Sequence, residues 1–457
     1  MSDESADEKS GNFLLLLAAG LAQFIVCADY FAIAIALPPM AEDLGVRAID
    51  LQWVITGYIL AFASTLCIAG VLGDRYGRKR LLLLGIIIFA AVSVWTGFGQ
   101  SATEVVIARI ALGLGGGLLM PLATAVVSHA SARRRLARDI ALLTGVATLG
   151  QALGPVLGGV LTEYLNWRWI FFANVPICAL AFLMVTFFSS ESKDPEAVGR
   201  LDVGGIILLT LGLAAVSIGI DRIPHWQTPV WASLLGGGVL LLLVFTIVES
   251  LIAFPVIDVR LFANRDFLGF ATVGLLANSV WCSLVLIATL QLQKVLGFTV
   301  LDAGLFFLFM SGSVAVASFI APVLERRVGV VPLVRFALLL QSIGVGVLFF
   351  VDDAVSLSIG LFLAGFGCSW GWALPQAGAI RSLPREKSGL ASGSILTIMV
   401  MFGNTAFVVM AMVIDLHPSD ASGEALGIRA AAGWATLIGV VGLLCSLILL
   451  RRITRAA

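Results

Sequence analysis

The stretch Gly150-Gln-Ala-Leu-Gly-Pro-Val-Leu-Gly-Gly159 decides how this chain folds. It lies in an apolar segment that runs from about residue 140 to residue 161, which is long enough to cross a bilayer as one helix. In a membrane, glycines allow a neighbouring backbone to approach closely, and neighbouring helices can satisfy the carbonyl that a proline frees. Gly150, Gly154 and Gly158 recur every fourth residue and therefore form one smooth face beside Pro155. A single GxxxG would indicate only a general packing face, but this run is longer and ends in a glycine pair.

Composition restricts the chain to one class of protein. It has 457 residues, of which 60% are hydrophobic and only 12% charged, and its mean hydropathy is +1.04. A soluble domain cannot carry such a composition, so the sequence predicts a polytopic membrane protein. The six cysteines fall in apolar segments without CxxC spacing, which indicates small buried hydrophobes and not a disulfide framework or a metal site.

The apolar windows predict fourteen membrane-spanning helices. An even number of spans places both termini on the same side of the membrane. The approximate windows are 13–37, 52–72, 81–99, 105–127, 139–162, 169–188, 203–220, 230–250, 267–289, 301–323, 334–351, 355–376, 389–413 and 431–450.

The distribution of lysine and arginine predicts which side that is. The termini and the loops that follow even-numbered helices hold 22 of the 28 lysines and arginines. The opposite loops hold five, and the last one, Arg109, lies inside helix 4. Because cytoplasmic loops carry the excess of positive charge, both termini are predicted to be cytoplasmic.

An internal repeat divides the chain into two halves. A GxxxGxxxP spacing occurs in helix 4 and again in helix 12 at an offset of 254, in Gly113-x3-Gly117-x3-Pro121 and Gly367-x3-Gly371-x3-Pro375. Helices 1–6 and 9–14 therefore form two similar bundles, and helices 7 and 8 are inserted between them. The predicted parts are a cytoplasmic tail at 1–12, a six-helix bundle at 13–188, a cytoplasmic linker at 189–202, two inserted spans at 203–250, a second six-helix bundle at 251–450 and a cytoplasmic tail at 451–457.

Three stretches resemble motifs of one transporter superfamily and occur in its order. GxxxGPxxGG in the fifth span resembles the antiporter motif of the major facilitator superfamily, which is found in the drug-exporting branches. Gly70-Val-Leu-Gly-Asp-Arg-Tyr-Gly-Arg-Lys-Arg80 is similar to the loop motif after helix 2. Ile107-Ala-Arg-Ile-Ala-Leu-Gly113 resembles the helix-4 motif, with Leu112 where glutamine is common.

The whole layout resembles the fourteen-helix drug:proton antiporter family. Trp167-Arg-Trp-Ile-Phe-Phe-Ala-Asn-Val-Pro176 at the start of helix 6 is similar to that family's pattern. The resemblance covers nearly the whole chain and implies the major facilitator fold, an all-α polytopic membrane protein. This fold consists of two six-helix bundles, here with two inserted helices.

Asp29 is the first candidate functional residue. It lies within helix 1, with no other charge before the Glu42-Asp43 loop, and a carboxylate there costs a few kcal/mol unless it is protonated or paired. Burial disfavours the charged form of a carboxyl group and a nearby cation favours it, so its proton affinity can depend on its surroundings. Such a group can couple protons to transport, although a structural acid bonded to the helix backbone is the alternative.

Arg109 is the natural partner of Asp29. Helix 1 runs outward and helix 4 runs inward, so at 1.5 Å rise per residue the two side chains lie at depths that agree to within roughly one turn. An intramembrane arginine needs a counter-ion, and Asp29 is the acid at a similar depth. Direct pairing is one hypothesis; a water-filled cavity or helix-5 carbonyls could serve Arg109 instead.

The Gly70–Arg80 loop is the second candidate. Glycines permit the tight turn, and an aspartate can cap helix 3 or offset the partial positive charge at its start. Three cationic residues follow. By resemblance, this loop latches one half of the protein to the other and stabilises the outward-open state. The residues assigned to the latch are Gly70, Gly73, Asp74, Arg75, Gly77, Arg78 and Lys79.

Other intramembrane polar and aromatic residues are candidates for a substrate cavity. The amides could line a cavity or bond between helices, and the aromatic rings could form a drug pocket or interfacial belts. Phe31 stands where the family pattern has a threonine, which leaves the substrate contacts open. The candidate set is Gln23, Phe31, Gln151, Asn278, Trp281 and Trp372.

Together these features predict a proton-driven exporter of hydrophobic, often cationic, small molecules in the cytoplasmic membrane. No phosphate-binding GxxxxGK, nucleophile elbow or zinc spacing occurs, so we expect no enzyme, no ATP drive and no cofactor other than the coupled proton. The expected partners are lipophilic substrates, protons and the bilayer, not nucleic acid, and we expect a monomer. A dedicated exporter of one endogenous metabolite, such as an antibiotic or siderophore, would carry the same motifs, and a membrane receptor without transport is the third alternative.

Overall fold

The structure is a computed structural model that describes residues 2–131, 136–193, 202–252, 255, 257–350, 353–383, 388–418 and 421–451. Fourteen α-helices account for most of these residues. They are α1 (Ser2–Asp43), α2 (Trp53–Tyr76), α3 (Arg78–Gly97), α4 (Ala102–Ala130), α5 (Leu136–Tyr164), α6 (Arg168–Phe188), α7 (Val203–Asp221), α8 (Thr228–Leu251), α9 (Arg265–Leu290), α10 (Val300–Val328), α11 (Val330–Phe350), α12 (Ala354–Arg381), α13 (Ser388–Asp415) and α14 (Ala421–Leu449).

The predicted all-α membrane fold is confirmed. Thirteen helices within the described ranges are long and apolar enough to cross a membrane. The segments Asp50–Leu66 and Ile68–Tyr76, which are bent by 43° relative to each other, make a fourteenth if they form one span. Each predicted window falls within one helix to within two residues.

The first helix is longer than its apolar window. Residues 2–12, which the sequence assigns to a cytoplasmic tail, continue α1. A hydropathy window detects only the part of a helix that suits lipid, whereas a helix can extend past the bilayer into water.

The chain forms two compact units, Met1–Leu201 and Asp202–Ala457, so that α1 to α6 belong to the first and α7 to α14 to the second. In the first unit, α1 packs against α4, α5 and α6, while α2 packs against α4, and α3 against both α4 and α6. Helix α1 is therefore surrounded by three other helices of its unit.

Glycines set the closest approaches between helices of the first unit. On α4, a Cβ added at Gly113 would lie 2.4 Å from the carbonyl oxygen of Tyr58, and one added at Gly117 would lie 2.4 Å from that of Phe62. Real Cβ atoms do not come this close to backbone, so α2 and α4 can pack at this distance only because these positions lack a side chain. This packing brings α2 directly beside Arg109.

In the second unit α9 is the central helix and packs against α12, α13 and α14. Its core includes the fully buried rings of Phe267 and Trp370, together with Val334 and Met399. Helix α10 packs against α12, and the inserted helix α7 packs against α8 and α13. The inserted pair is thus attached to the second unit through α7.

The internal repeat has a different register from the one that the sequence predicts. Helix α4 approaches α3 at Gly115. The corresponding approach in the second unit, of α12 to α11, occurs at Gly367, where an added Cβ would lie 2.4 Å from the Ala337 carbonyl oxygen. Gly365 likewise contacts α10, as Gly113 contacts α2. Gly365 of α12 therefore corresponds to Gly113 of α4, two residues earlier than the GxxxGxxxP spacing predicts. Equivalent positions are those whose backbones approach equivalent helices, and the spacing of a motif does not show which helix is approached.

The glycine face of α5 generates the first prediction. A Cβ added at Gly150 would lie 2.4 Å from the Phe24 carbonyl oxygen, whereas one added at Gly145 on the same helix would have no atom within 4 Å. Replacing a helical glycine by alanine normally stabilises a helix by about 1 kcal/mol, but overpacking costs about 1–3 kcal/mol. We expect Gly150→Ala to lower the melting temperature of the detergent-solubilised protein and the control Gly145→Ala to leave it unchanged or raise it. Equal melting temperatures for the two variants would contradict the close α1–α5 contact.

Candidate functional site

Asp29 and Arg109 form an ion pair inside the first unit. Arg109 Nη1 donates a hydrogen bond to Asp29 Oδ2, and neither side chain has any exposed surface. The sequence left open whether Arg109 pairs directly with Asp29 or is served by a water-filled cavity or by helix-5 carbonyls. The structure shows the direct pairing. Helices α1 and α4 supply one residue each, at the matching depth that the helix rise predicts.

The guanidinium group has further partners that compensate for its burial. Arg109 Nε donates to the Val54 carbonyl oxygen at 3.0 Å, and its central carbon lies 4.2 Å from the centre of the Tyr58 ring and 5.9 Å from that of Phe171. Aromatic faces attract a buried cation, most strongly when water is excluded. Arg109 Nη2 and the Tyr58 hydroxyl have no hydrogen-bond partner within the described part of the chain, so the site still has donors for water or for a ligand.

Asn174 of α6 completes the coordination of the carboxylate. Its Nδ2 donates to Asp29 Oδ1 at 2.9 Å and also contacts Ser93 Oγ of α3 at 3.3 Å. Each oxygen of Asp29 therefore accepts from a different helix. Asn174 was not among the residues predicted for the site. It lies in the Trp167–Pro176 stretch, and an amide within an apolar helix was the feature of the sequence that could have indicated its role.

The glycine face of α5 packs on the turn of α1 that carries Asp29. Cβ atoms added at Gly154 and Gly158 would lie 2.7 Å and 2.6 Å from the carbonyl oxygens of Ala28 and Ala32. Pro155 and Gly159 are also buried, and α5 continues through Pro155 to Tyr164. The motif thus holds the backbone at Asp29 against α5 while Arg109 and Asn174 hold its side chain.

A second set of contacts holds the far end of α1. Trp167 Nε1 donates to Asp43 Oδ2 at 3.0 Å, and Arg168 forms an ion pair with the same carboxylate. Arg168 Nη2 also donates to the Gly99 carbonyl oxygen at 3.2 Å, in the turn between α3 and α4. Helix α6 therefore binds α1 at two levels, through the Trp167-Arg168 pair at its start and through Asn174 about two turns later.

The basic loop after α2 contacts the end of α6. Lys79 Nζ donates to the carbonyl oxygen of Thr186 at 2.8 Å, and the backbone nitrogens of Lys79 and Arg80 each donate to the Glu191 carboxylate at 3.2 Å. Gly77 has φ +115°, and an added Cβ would lie 2.7 Å from a Glu191 oxygen. Glu191 therefore caps the start of α3, where a negative charge is favourable. No sequence pattern pointed to this residue, because it is remote from the loop along the chain.

The other latch residues make local contacts. Arg78 Nε donates to Asp74 Oδ1 at 2.8 Å, and the Arg75 guanidinium lies 5.5 Å from the Tyr76 ring. A Cβ added at Gly73 would meet Leu122 at 2.4 Å, whereas Gly70 has open space around it. These contacts connect the loop to its own unit, and the latch between halves remains a prediction.

The candidate cavity residues fall into both units. Gln23 and Asn278 are buried, and their amides donate to the Met120 and Met399 carbonyl oxygens at 2.9 Å and 2.6 Å, so each of them bonds one helix to another. Phe31 is buried against Gly154. Gln151, Trp281 and Trp372 are half-buried.

The histidines do not form a metal site within the described ranges. His225 is exposed, and its Nε2 lies 2.5 Å from Asp415 Oδ2 at the end of α13. This contact ties the turn between α7 and α8 to α13.

The sequence profile of the Major Facilitator Superfamily matches residues 19–407. That match covers well over half of the chain. It includes the ion pair, the glycine face of α5 and the basic loop after α2.

Individual relatives lead to the same family. The chain is 30% identical over 413 residues to the multidrug resistance protein Stp of Mycobacterium tuberculosis, covering 88% of this chain and 75% of that protein. It is 27% identical over 440 residues to the tetracenomycin C resistance and export protein of Streptomyces glaucescens, covering 92% and 78%. The match to the cephamycin export protein CmcT of Amycolatopsis lactamdurans is 36% identical over 298 residues, but it spans only 64% of this chain and 61% of that protein.

Solved structures share the fold. A bacterial homologue of the human lysosomal transporter Spinster superposes with a TM-score of 0.70 at 14% identity, covering 96% of this chain and 97% of that chain. The peptide transporter POT gives a TM-score of 0.69 at 16% identity, covering 97% and 95%. With the profile match, the relatives and the all-helical membrane fold, the chain belongs to the major facilitator superfamily and is a multi-pass membrane transporter, not an enzyme.

Proposed function

We propose that this protein exports hydrophobic, often cationic, drugs across the cytoplasmic membrane in exchange for protons. The names of several relatives, including a multidrug resistance protein and a drug efflux pump, support export of drugs. The transporter works by alternating access as a monomer, and its coupling ion is the proton.

The buried Asp29–Arg109 pair is the observation that carries the proposal. A charge in the middle of a membrane helix is costly and therefore marks a functional site. Both side chains are fully buried, so protonating Asp29 leaves the Arg109 cation without its counter-ion. Breaking a buried ion pair from one side costs about 3–5 kcal/mol.

That cost approaches the free energy needed to switch a protein almost completely between two states. Moving a two-state equilibrium from 1:99 to 99:1 needs about 5.5 kcal/mol. Protonation of Asp29 can therefore shift most of the population from one conformation to the other. Asp29 takes a proton from the outside in the outward-open state, and drug binding and proton release follow in the inward-open state.

The proton gradient supplies enough energy for export. Each entering proton contributes about 2.3 kcal/mol per 100 mV of membrane potential and about 1.4 kcal/mol per pH unit. At about 1.4 kcal/mol per tenfold, one proton at 100 mV supports a gradient of roughly fifty-fold for a neutral drug, whereas exchange of one proton for a singly charged cation moves no net charge and draws on the pH gradient alone.

A dedicated exporter of one endogenous metabolite is the second candidate. The names of two relatives, a cephamycin export protein and a tetracenomycin C resistance and export protein, favour it. Its motifs and its coupling site would be the same, so only the range of substrates separates the two proposals. Membership of a transporter family argues against a receptor that does not transport.

The coupling proposal predicts the outcome of a transport assay. We expect proteoliposomes with the wild-type protein to move ethidium only when a pH gradient is imposed, and Asp29→Asn to lose that dependence because the side chain can no longer exchange a proton. Asp43→Asn is the matched control, since Asp43 also pairs with an arginine but lies at the exposed end of α1. This control should retain the dependence on the gradient.

Each other outcome has a definite meaning. Ethidium transport that ignores the gradient in the wild type would contradict proton antiport. If ethidium does not move but protons cross with another solute, the dedicated exporter replaces the multidrug exporter.

A double-mutant cycle tests the energetics of the pair. In Arg109→Leu the charged Asp29 lacks its counter-ion, and in Asp29→Leu the charged Arg109 lacks its counter-ion. We therefore expect each variant to lower the unfolding free energy by about 3–5 kcal/mol. The double variant removes both charges and should be more stable than either single variant, though inactive. Thermal unfolding of the purified proteins gives the comparison; additive losses would show that the two side chains do not depend on each other.

A further inference from the structure

Asn174 makes a contact with Asp29 that has a definite direction. A charged carboxylate only accepts hydrogen bonds, so the amide must present its NH2 group to Oδ1, at 2.9 Å. The same nitrogen has a second hydrogen, which points to Ser93 Oγ at 3.3 Å. Ser93 thereby fixes the orientation of the amide toward Asp29.

Both oxygens of Asp29 are thus occupied by donors. Arg109 donates to Oδ2 and Asn174 to Oδ1. A proton on either oxygen would face an N–H group that already points at it. Hydrogen bonds donated to a carboxylate favour its charged form, and Asp29 accepts one on each oxygen.

The other groups around the carboxylate do not take over its charge. Helix α2 presents Tyr58, α6 presents Cys178 one turn beyond Asn174, and Cys27 lies on α1 itself; all three are buried. The side chains of tyrosine and cysteine do not titrate in place of a carboxyl group near neutral pH. Helix α5 presents its glycine face and α3 presents Ser93.

We propose that Asn174 is a positioning residue that controls the proton on Asp29. Its amide holds the carboxylate in the charged form while α1 and α6 are in contact. The proton binds when the contact between Asn174 and Asp29 opens, which links the movement of α6 relative to α1 to the uptake of the proton. The inference rests on the proposed proton coupling at Asp29 and adds α6 to the two helices, α1 and α4, that form that site.

Infrared titration of the purified full-length protein tests the role of Asn174. The carbonyl stretch of protonated Asp29 is identified as the band that Asp29→Asn removes. In Asn174→Leu we expect the midpoint of this band to move up by about one to two pH units, which is a 10- to 100-fold higher proton affinity, because a hydrogen bond to the charged form is lost. If the leucine variant does not fold, Asn174→Ala should move the midpoint in the same direction.

Gln341→Leu is the matched control. Gln341 is a fully buried amide that donates to the Ala277 carbonyl oxygen at 2.8 Å, but it lies in the second unit and has no carboxylate partner among the residues that the structure describes. We expect it to leave the Asp29 midpoint unchanged. A merely structural amide at position 174 would behave like Gln341 and affect only the melting temperature.

The possible failures are distinguishable. An Asp29 band with the same midpoint in the wild type and in both Asn174 variants would overturn the inference and leave Asp29 as the titrating group. If the wild type shows no band that depends on Asp29 at any pH, the proposed proton coupling itself is wrong.

Discussion

The confinement of α1 between a glycine face and a buried ion pair is the constraint on which the first unit depends. Gly150, Gly154 and Gly158 bring the backbone of α5 against α1, and Asp29 on the same part of α1 pairs with Arg109. The close contact leaves no room for α1 to shift locally, and the buried arginine has an ionic partner only while α1 stays in place. Protonation of a single side chain can therefore destabilise the whole arrangement.

The two units use polar groups differently. The ion pair between Asp29 and Arg109, whose side chains are both fully buried, lies in the first unit. In the interior of the second unit, the neutral amides of Asn278 and Gln341 donate hydrogen bonds from one helix to another. The ion pair between Arg381 and Glu325 lies at the ends of two helices. The proposed coupling site in the first unit is thus a buried ion pair, whereas Asn278 and Gln341 bond helices of the second unit without a charge.

Sequence reasoning succeeded where one helix contains the whole signal. Hydropathy gave the spans, and the rise of a helix placed Asp29 and Arg109 at one depth. It failed where the signal depends on which helices are neighbours. Asn174 and Glu191 act on residues that are remote in sequence, and only the packing of α6 beside α1 and α3 brings them there. The register of the repeat was wrong for the same reason, since Gly365 is recognised as the equivalent of Gly113 only from the backbone that it approaches.

The release of protons on drug binding tests most directly whether the proton on Asp29 and the drug exclude each other. The purified protein would be prepared at a pH where Asp29 is half protonated, in weakly buffered detergent solution, and titrated with ethidium while the pH is recorded. Proton coupling at this site predicts that the wild type releases protons as it binds the dye and that Asp29→Asn binds the dye without releasing them. Equal proton release by the two proteins, or dye binding by the wild type with no release, would contradict it.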